Sequence, residues 1–229
     1  MTVASAPDHV VDVAGESIVL LPERAAFWRR TRTLLLADPH FGKGAAFRAA
    51  GIPVPRGATT EGLARLDTAL ARTAAHRIVV LGDFLHAREG RDPESMRVLA
   101  EWRARHSDLE LMLVRGNHDR RAGDPPPEIG VTCVTAPALE APFVFAHFPT
   151  ASAEGYVLAG HLHPGVRLAG RGRQYARLAC FWFGADVGVL PAFGDFTGLG
   201  EVEPAPGDRV FVVAEQQVTE ISTQRSEPC

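Results

Sequence analysis

The order of apolar segments predicts a mixed α/β fold in which two sheets pack face to face with helices outside. Three observations carry that expectation. Short continuous apolar runs alternate with helical patterns through the first half of the chain, as in an α/β sheet. From about Val131 onward the apolar runs come close together with Gly and Pro between them, the pattern of a second, mainly antiparallel sheet. The 229 residues are 46% hydrophobic and 22% charged, enough to bury a core. No internal repeat, low-complexity block or Ser/Gly linker divides the sequence. One domain over residues 1–229 is expected, with a core of about 9–222 and a short C-terminal tail.

In chain order, Val10–Val13 and Ser17–Pro22 flank Gly15 as a hairpin would. Thr33–Ala37 (TLLLA) is a continuous run of the buried-strand kind, and similar runs recur at Ile78–Leu81, Leu109–Val114, Phe143–Ala146 and Tyr156–Ala159. Thr59–Ala75 carries Leu63, Leu66 and Leu70 at helical spacing, and Pro93–Arg105 carries Met96, Leu99 and Trp102 on one face. Arg120–Glu128 contains three consecutive prolines and reads as a loop. The second sheet is expected from Val166–Leu168, Arg177–Phe183, Arg209–Val213 and Val218–Ile221.

No window reaches the roughly 18 consecutive apolar residues of a membrane span, and the N-terminal residues lack a signal-peptide layout, so a cytoplasmic protein without membrane contact is expected. Cys133, Cys180 and Cys229 are far apart and form no C-x-x-C pair, which argues against a disulfide framework or a thiolate zinc site. With 24 basic and 27 acidic residues the formal charge is −3, so nothing global advertises a polyanionic partner. The nine histidines are more informative, because most stand at the ends of apolar runs.

The first run ends in Asp38-Pro39-His40, the second in Gly82-Asp83 and the third in Gly116-Asn117-His118-Asp119. The fourth ends in His147 and the fifth in Gly160-His161-Leu162-His163. Loops leaving the C-terminal ends of strands converge on one edge of an open α/β sheet, where ligands bind. The donors are two carboxylates (Asp38, Asp83), one amide (Asn117) and four imidazoles (His40, His147, His161, His163), with no thiolate. That set suits Mn²⁺ first, with Fe²⁺ or Zn²⁺ as alternatives, and exceeds what one four-coordinate ion takes. It fits two divalent ions sharing a bridging Asp, an arrangement suited to phosphoester hydrolysis. Each piece alone is ordinary turn chemistry. Five in one order, each closing an apolar run, point to a metal centre.

The order D-x-H, G-D, G-N-H-D, H, G-H-x-H resembles that of the calcineurin-like metallophosphoesterases. The resemblance implies a metallophosphoesterase-like four-layer αββα sandwich. It also implies that Asp38, His40, Asp83 and His163 hold one ion, that Asp83, Asn117, His147 and His161 hold the other, and that His118 is the catalytic histidine. Asp38–Gly57 (DPHFGKGAAFRAAGIPVPRG) and Gly184–Gly198 (GADVGVLPAFGDFTG) are similar to the bacterial ligase-associated DNA damage response endonucleases, of the PdeM type. With the metal motifs, that likeness spans roughly residues 17–200. It implies a phosphodiesterase or nuclease acting on DNA in repair, in company with a ligase, a helicase and a nuclease. One departure is Asp38-Pro39-His40-Phe41, where Leu is expected at both intervening places; Pro39 stiffens the turn without removing a donor.

Lys43 is the single lysine in the sequence, which points to a compact ammonium set against a phosphate oxygen. His86 and Arg115 are further substrate-contact candidates. Arg48 and Arg56 in the loop after Lys43, Arg120 and Arg121, and Arg167, Arg171 and Arg173 could follow a nucleic-acid backbone, and Phe41 and Phe47 could stack on bases. Two alternatives stand beside the DNA reading: a phosphodiesterase or phosphatase of nucleotides or other small phosphoesters, and a non-catalytic scaffold. The net negative charge leans to the first of these, but it counts no bound cations.

Overall fold

The computed structural model describes residues 9–169 and 175–221. Arg171, Arg173 and Cys229 lie outside them. The first sheet begins with the expected hairpin: β1 (His9–Val13) pairs antiparallel with β2 (Glu16–Leu21) around Ala14 and Gly15, both at positive φ. Next comes β3 (Ala25–Trp28), then β4 (Thr33–Leu36). β3 is hard to see in sequence because Ala25 and Ala26 give little apolar contrast, yet both are buried.

Helices α1 (Lys43–Ala49) and α2 (Ala58–Thr73) cross over to β5 (Arg77–Val80), and α3 (Pro93–Arg105) to β6 (Glu110–Val114). α4 (Asn117–Ala122) then leads to β7 (Thr132–Val134). The sheet runs β1 through β7 in order, antiparallel as far as β4 and parallel from β4 to β7. α3 starts where Asp92 accepts backbone N–H bonds from Glu94 and Ser95, with Pro93 in its first turn. Arg97 and Glu101 pair one turn apart on its exposed side at 2.6 Å.

Two expectations change here. The stretch after Lys43 is helical and carries Arg48 in α1. Gly42 supplies a left-handed cap and lets the Gly90 carbonyl approach so closely that a Cβ would lie 2.0 Å from its oxygen. The glycine therefore serves this close packing. β7, which was placed in the second sheet, instead adds parallel to β6.

The second sheet contains β8 (Ala138–Glu140), β9 (Phe143–Phe145), β10 (Tyr156–Ala159), β11 (Pro164–Ala169), β12 (Tyr175–Phe183) and β13 (Val187–Val189). β14 (Gly200–Glu201), β15 (Arg209–Ala214) and β16 (Gln217–Ile221) complete it. Its order is β14-β11-β12-β13-β10-β9-β8, with the β15–β16 hairpin along β12. Most of its pairings are antiparallel, as expected, but it is mixed, because β10 runs parallel to both β9 and β13 and β11 runs parallel to β14. Two mixed sheets flanked by helices thus form an α/β sandwich.

Alternate residues explain the continuous apolar runs. Leu34, Leu36, Ile78 and Val80 face Leu66, Leu70, Leu99 and Trp102 of α2 and α3. Trp28, Leu35 and Val79 meet Phe143, Phe145, Phe181 and Phe211 of the second sheet. A strand buried on both faces needs no polar alternation. All four described α-helices precede β7, and beyond the second sheet Val166, Cys180, Val210 and Val212 form a small separate cluster. No described helix is long and apolar enough to cross a membrane.

Candidate metal centre

The C-terminal ends of β4, β5, β6, β9 and β10 open on one edge of the sandwich, and the donors predicted from sequence meet there. Asp38, His40, Asp83 and His147 are each no more than 3% exposed. Asp38, His40 and His163 form one group able to hold a metal ion, and Asp38, Asp83 and His147 another. His147 Nε2 lies 2.9 Å from Asn117 Oδ1, 3.1 Å from His161 Nδ1 and 3.5 Å from Asp83 Oδ2. Asp83 Oδ2 is also 3.8 Å from His40 Nε2, and Asp38 Oδ2 is 3.8 Å from His163 Nε2.

Local backbone conformation directs these side chains inward. Asp38, His40, Asp83, His161 and His163 all have positive φ, between 45 and 70°. Each costs about 1–2 kcal/mol relative to the right-handed region, and such conformations survive where a site over-determines them. The preceding glycines make room. A Cβ at Gly82 would lie 2.1 Å from His147 Nδ1, at Gly116 2.2 Å from Asp83 Oδ1, and at Gly160 2.6 Å from Asp38 Oδ2. The glycine of each G-D, G-N-H-D and G-H-x-H piece thus admits a donor from a different strand.

Asp119, the last residue of G-N-H-D, was given no role from sequence. It is 1% exposed, and its carboxylate accepts backbone N–H bonds from Asp83, Phe84, Leu85 and Gly116 at 2.7–3.4 Å. It ties the loop after β5 to the start of α4 and so sets Asp83 beside Asn117. Its position in the first turn of a helix following a strand was the available signal.

Hydrogen bonds orient the rings. A carbonyl only accepts, so His147 Nδ1 donates to Leu81 O (3.1 Å) and leaves Nε2 as the inward donor atom. Likewise His118 Nδ1 donates to His86 O (2.6 Å), leaving Nε2 facing the centre at 3.9 Å from Asp83 Oδ2. His163 hydrogen-bonds the Gly198 backbone.

Burial is the largest influence on the charge of these groups. It pushes the Asp38 carboxyl well up, reinforced by Asp83, and also raises Asp83 and Asp119. It lowers His40, His147 and His161, and holds His163 at about 4. Neutral imidazoles are what a metal requires, whereas two buried carboxylates need a cation. Asp38 Oδ1 has no hydrogen-bond partner although it is fully buried. That orphaned oxygen, facing His147 Nδ1 at 3.6 Å, fits a divalent ion.

The substrate-contact candidates separate. Lys43 is half-buried with Nζ 5.6 Å from the Phe47 ring centroid, and burial lowers its pKa while Asp38 and Asp83 oppose that. The His86 ring stacks on His118 at 4.9 Å, its Nδ1 is 3.3 Å from His40 Nδ1, and burial followed by Lys43 holds its pKa at about 4. Arg115 forks onto Asp124 with both contacts at 2.7 Å, and Arg56 pairs with Glu94. Phe41 is 4% exposed and packs against Phe84, so it is core and offers no stacking surface.

A family model for calcineurin-like phosphoesterases matches residues 31–188. Among solved structures, the nuclease MPE of Pseudomonas putida superposes with a TM-score of 0.83 at 39% identity, covering 94% of this chain and 100% of that one. Yfce, a phosphoesterase from E. coli, is 12% identical with a TM-score of 0.39, covering 84% and 99%, and is too distant to bear on the site. No curated protein matches. The family match takes in the strands and loops that bring the donors together, and the likeness to MPE extends over nearly the whole chain. This chain therefore belongs to the calcineurin-like phosphoesterase family and is a hydrolytic phosphoesterase.

Proposed function

We infer that the protein, acting as one domain, is a divalent-metal-dependent phosphodiesterase that cleaves DNA at a binuclear centre, with Mn²⁺ the first choice of metal. The observation that carries this reading is the place of Asp83 Oδ2, 3.8 Å from His40 Nε2 and 3.5 Å from His147 Nε2. It stands between the Asp38/His40/His163 group and the Asn117/His147/His161 group, as a shared ligand would. The nuclease relative supports a nucleic-acid substrate. The stretches similar to repair endonucleases support DNA and a repair setting beside a ligase, helicase and nuclease.

When bound, the ions supply Lewis acidity toward the phosphoryl oxygens and the attacking water. The chain's own groups do the rest. His118, with Nδ1 tied to the His86 carbonyl, presents Nε2 to the substrate and, as imidazolium, delivers a proton from that atom to the leaving oxygen. His86 packs flat against His118 and limits its rotation while lining the substrate side. Lys43 sets an ammonium near the Asp38/Asp83 end, where a non-bridging phosphate oxygen sits. Arg115 reaches a phosphate only by releasing Asp124.

The test is hydrolysis of bis(p-nitrophenyl) phosphate, single- and double-stranded DNA and cyclic nucleotides with and without Mn²⁺. DNA cleavage dependent on metal is expected. His118→Ala should lower kcat by about 10²–10⁴-fold with metal content unchanged. Undiminished turnover in that variant would sink the role of His118, and cleavage of small esters alone would remove the DNA reading.

A further inference from the structure

The Gly184–Gly198 stretch has no donor in the metal centre, yet its second half forms a wall of that centre. Ala192 bridges to Ala37, Phe193 N donates to Ala37 O at 2.7 Å, and Gly194 N donates to Asp38 O at 3.1 Å. A Cβ at Gly194 would lie 2.4 Å from Pro39 O, so the two segments are in backbone contact. A few residues on, Gly198 meets the His163 ring and Gly200 N donates to His163 O.

Another face of this wall lines a cleft of about 660 Å³, bounded by Arg24, Arg65, Arg177, Asp195, Phe196 and Thr197, with Glu215 also lining it. The arginines come from the β2–β3 turn, α2 and β12, far apart in sequence. Asp195 accepts from both Arg24 (3.4 Å) and Arg65 (3.2 Å), and Arg65 lies over the Phe193 ring at 4.7 Å. Arg177 is exposed and donates to Leu199 O at 2.6 Å. Three guanidiniums and two carboxylates thus line the cleft, and Asp195 pairs with two of the guanidiniums. Burial and the neighbouring Arg65 both disfavour the Arg24 charge, which an additional anion would relieve.

Phe196 adds an independent sign. It is 44% exposed and sits at φ 59°, a conformation that bulky side chains rarely adopt. A strained, exposed aromatic at the lip of a cationic cleft is what a stacking platform for a base requires.

We propose that this cleft holds the polynucleotide strand beyond the scissile bond, on the His40/His163 side of the metal centre. Arg24, Arg65 and Arg177 meet a flanking phosphodiester and Phe196 stacks on a neighbouring base. The proposal rests on the nucleic-acid reading above. A polynucleotide is favoured over an acidic peptide because the cleft shares its wall with the loop carrying Asp38 and His40, and because base stacking gives the exposed ring a partner.

Affinity for a fluorescein-labelled oligothymidylate, with Ca²⁺ replacing Mn²⁺ to suppress cleavage, tests the proposal in wild type, Arg177→Glu, Arg177→Lys and Phe196→Ala. Arg177 is exposed, so its variants fold more safely than those of Arg24 or Arg65. Arg177→Glu is expected to weaken binding by at least about tenfold and to reduce the slope of log affinity against log salt by about 0.7. Arg177→Lys should restore most of both, and Phe196→Ala should weaken binding by roughly fivefold or more. Unchanged affinity and salt slope in Arg177→Glu and Phe196→Ala would overturn the proposal. Wild-type protein that hydrolyses bis(p-nitrophenyl) phosphate but binds no oligonucleotide would overturn it together with the DNA substrate. Arg177-dependent binding in a protein that hydrolyses nothing would uphold the cleft while the catalytic reading fell. Tighter capture of an acidic peptide than of the oligonucleotide would refute the choice of ligand.

Discussion

Replacing Gly116 by alanine isolates one physical effect. Its φ of −94° and ψ of −172° suit any residue, so the methyl group brings no backbone strain. What it brings is a collision: the new Cβ would lie 2.2 Å from Asp83 Oδ1 and 2.8 Å from Asp83 N. Ordinary contact begins at 3.4 Å, so the carboxylate or the start of α4 must move by about 1.2 Å. The bond from His118 N to Asp83 Oδ1, 2.9 Å long, is the first to suffer, at about 1–3 kcal/mol. In a chain of this size that lowers Tm by about 2–12 °C. A displacement near 1 Å at Asp83, the proposed shared ligand, should lower kcat/KM by about 100-fold. Thermal denaturation together with Mn²⁺-dependent hydrolysis of bis(p-nitrophenyl) phosphate measures both. A variant within about threefold of wild type and melting normally would refute the claim that the glycine makes room for the Asp83 carboxylate. Gly62→Ala is the contrast: it lies in α2, its Cβ would meet only Phe41 at 3.4 Å, and it should gain about 0.5–1 kcal/mol.

Asp119→Ala leaves four buried backbone donors without their acceptor and should cost at least about 3 kcal/mol, read by denaturant titration. Metal removal by a chelator should lower Tm, because an ion present at 100 times its Kd adds about 2.7 kcal/mol; equal melting with and without Mn²⁺ would count against the cage around Asp38. Arg115 holds the Asp124 carboxyl below its ordinary range, so their pairing contributes stability above the unfolded-state pKa of about 4 and loses it as pH falls through the depressed folded value. Arg115→Ala should therefore cost under about 1 kcal/mol near neutral pH, since Asp124 is half exposed, and nothing in acid.

The metal motifs were legible because each donor follows an apolar run that ends as its strand ends, a link between hydrophobicity and position that needs no tertiary information. α2 and α3 were legible because Leu63, Leu66 and Leu70, and Leu99 and Trp102, recur at helical spacing. β3 was obscured by its paired alanines. The parallel pairing of β7 was obscured because strand direction depends on the partner, which a short run such as Thr132–Val134 does not encode. Arg115, Arg48 and Arg56 stood out by their nearness in sequence to the motifs. In the folded chain they pair with Asp124, the Pro55 carbonyl and Glu94, while Arg24, Arg65 and Arg177 converge from distant segments.

The sequence by itself determined which donors are present, their chemical hardness and their arrival at strand ends, because those properties belong to single residues and their immediate neighbours. Tertiary structure decided what depends on distance between segments. It put Asp83 within 3.8 Å of His40 and 3.5 Å of His147, buried Asp38 with an unsatisfied oxygen, and pressed Gly82, Gly116 and Gly160 against donors from other strands. It also gathered three arginines along one cleft, two of them on Asp195. Electrostatic energy and steric exclusion both act over a few ångströms of space, and neighbours at that range are chosen by the fold and not by the order of the chain.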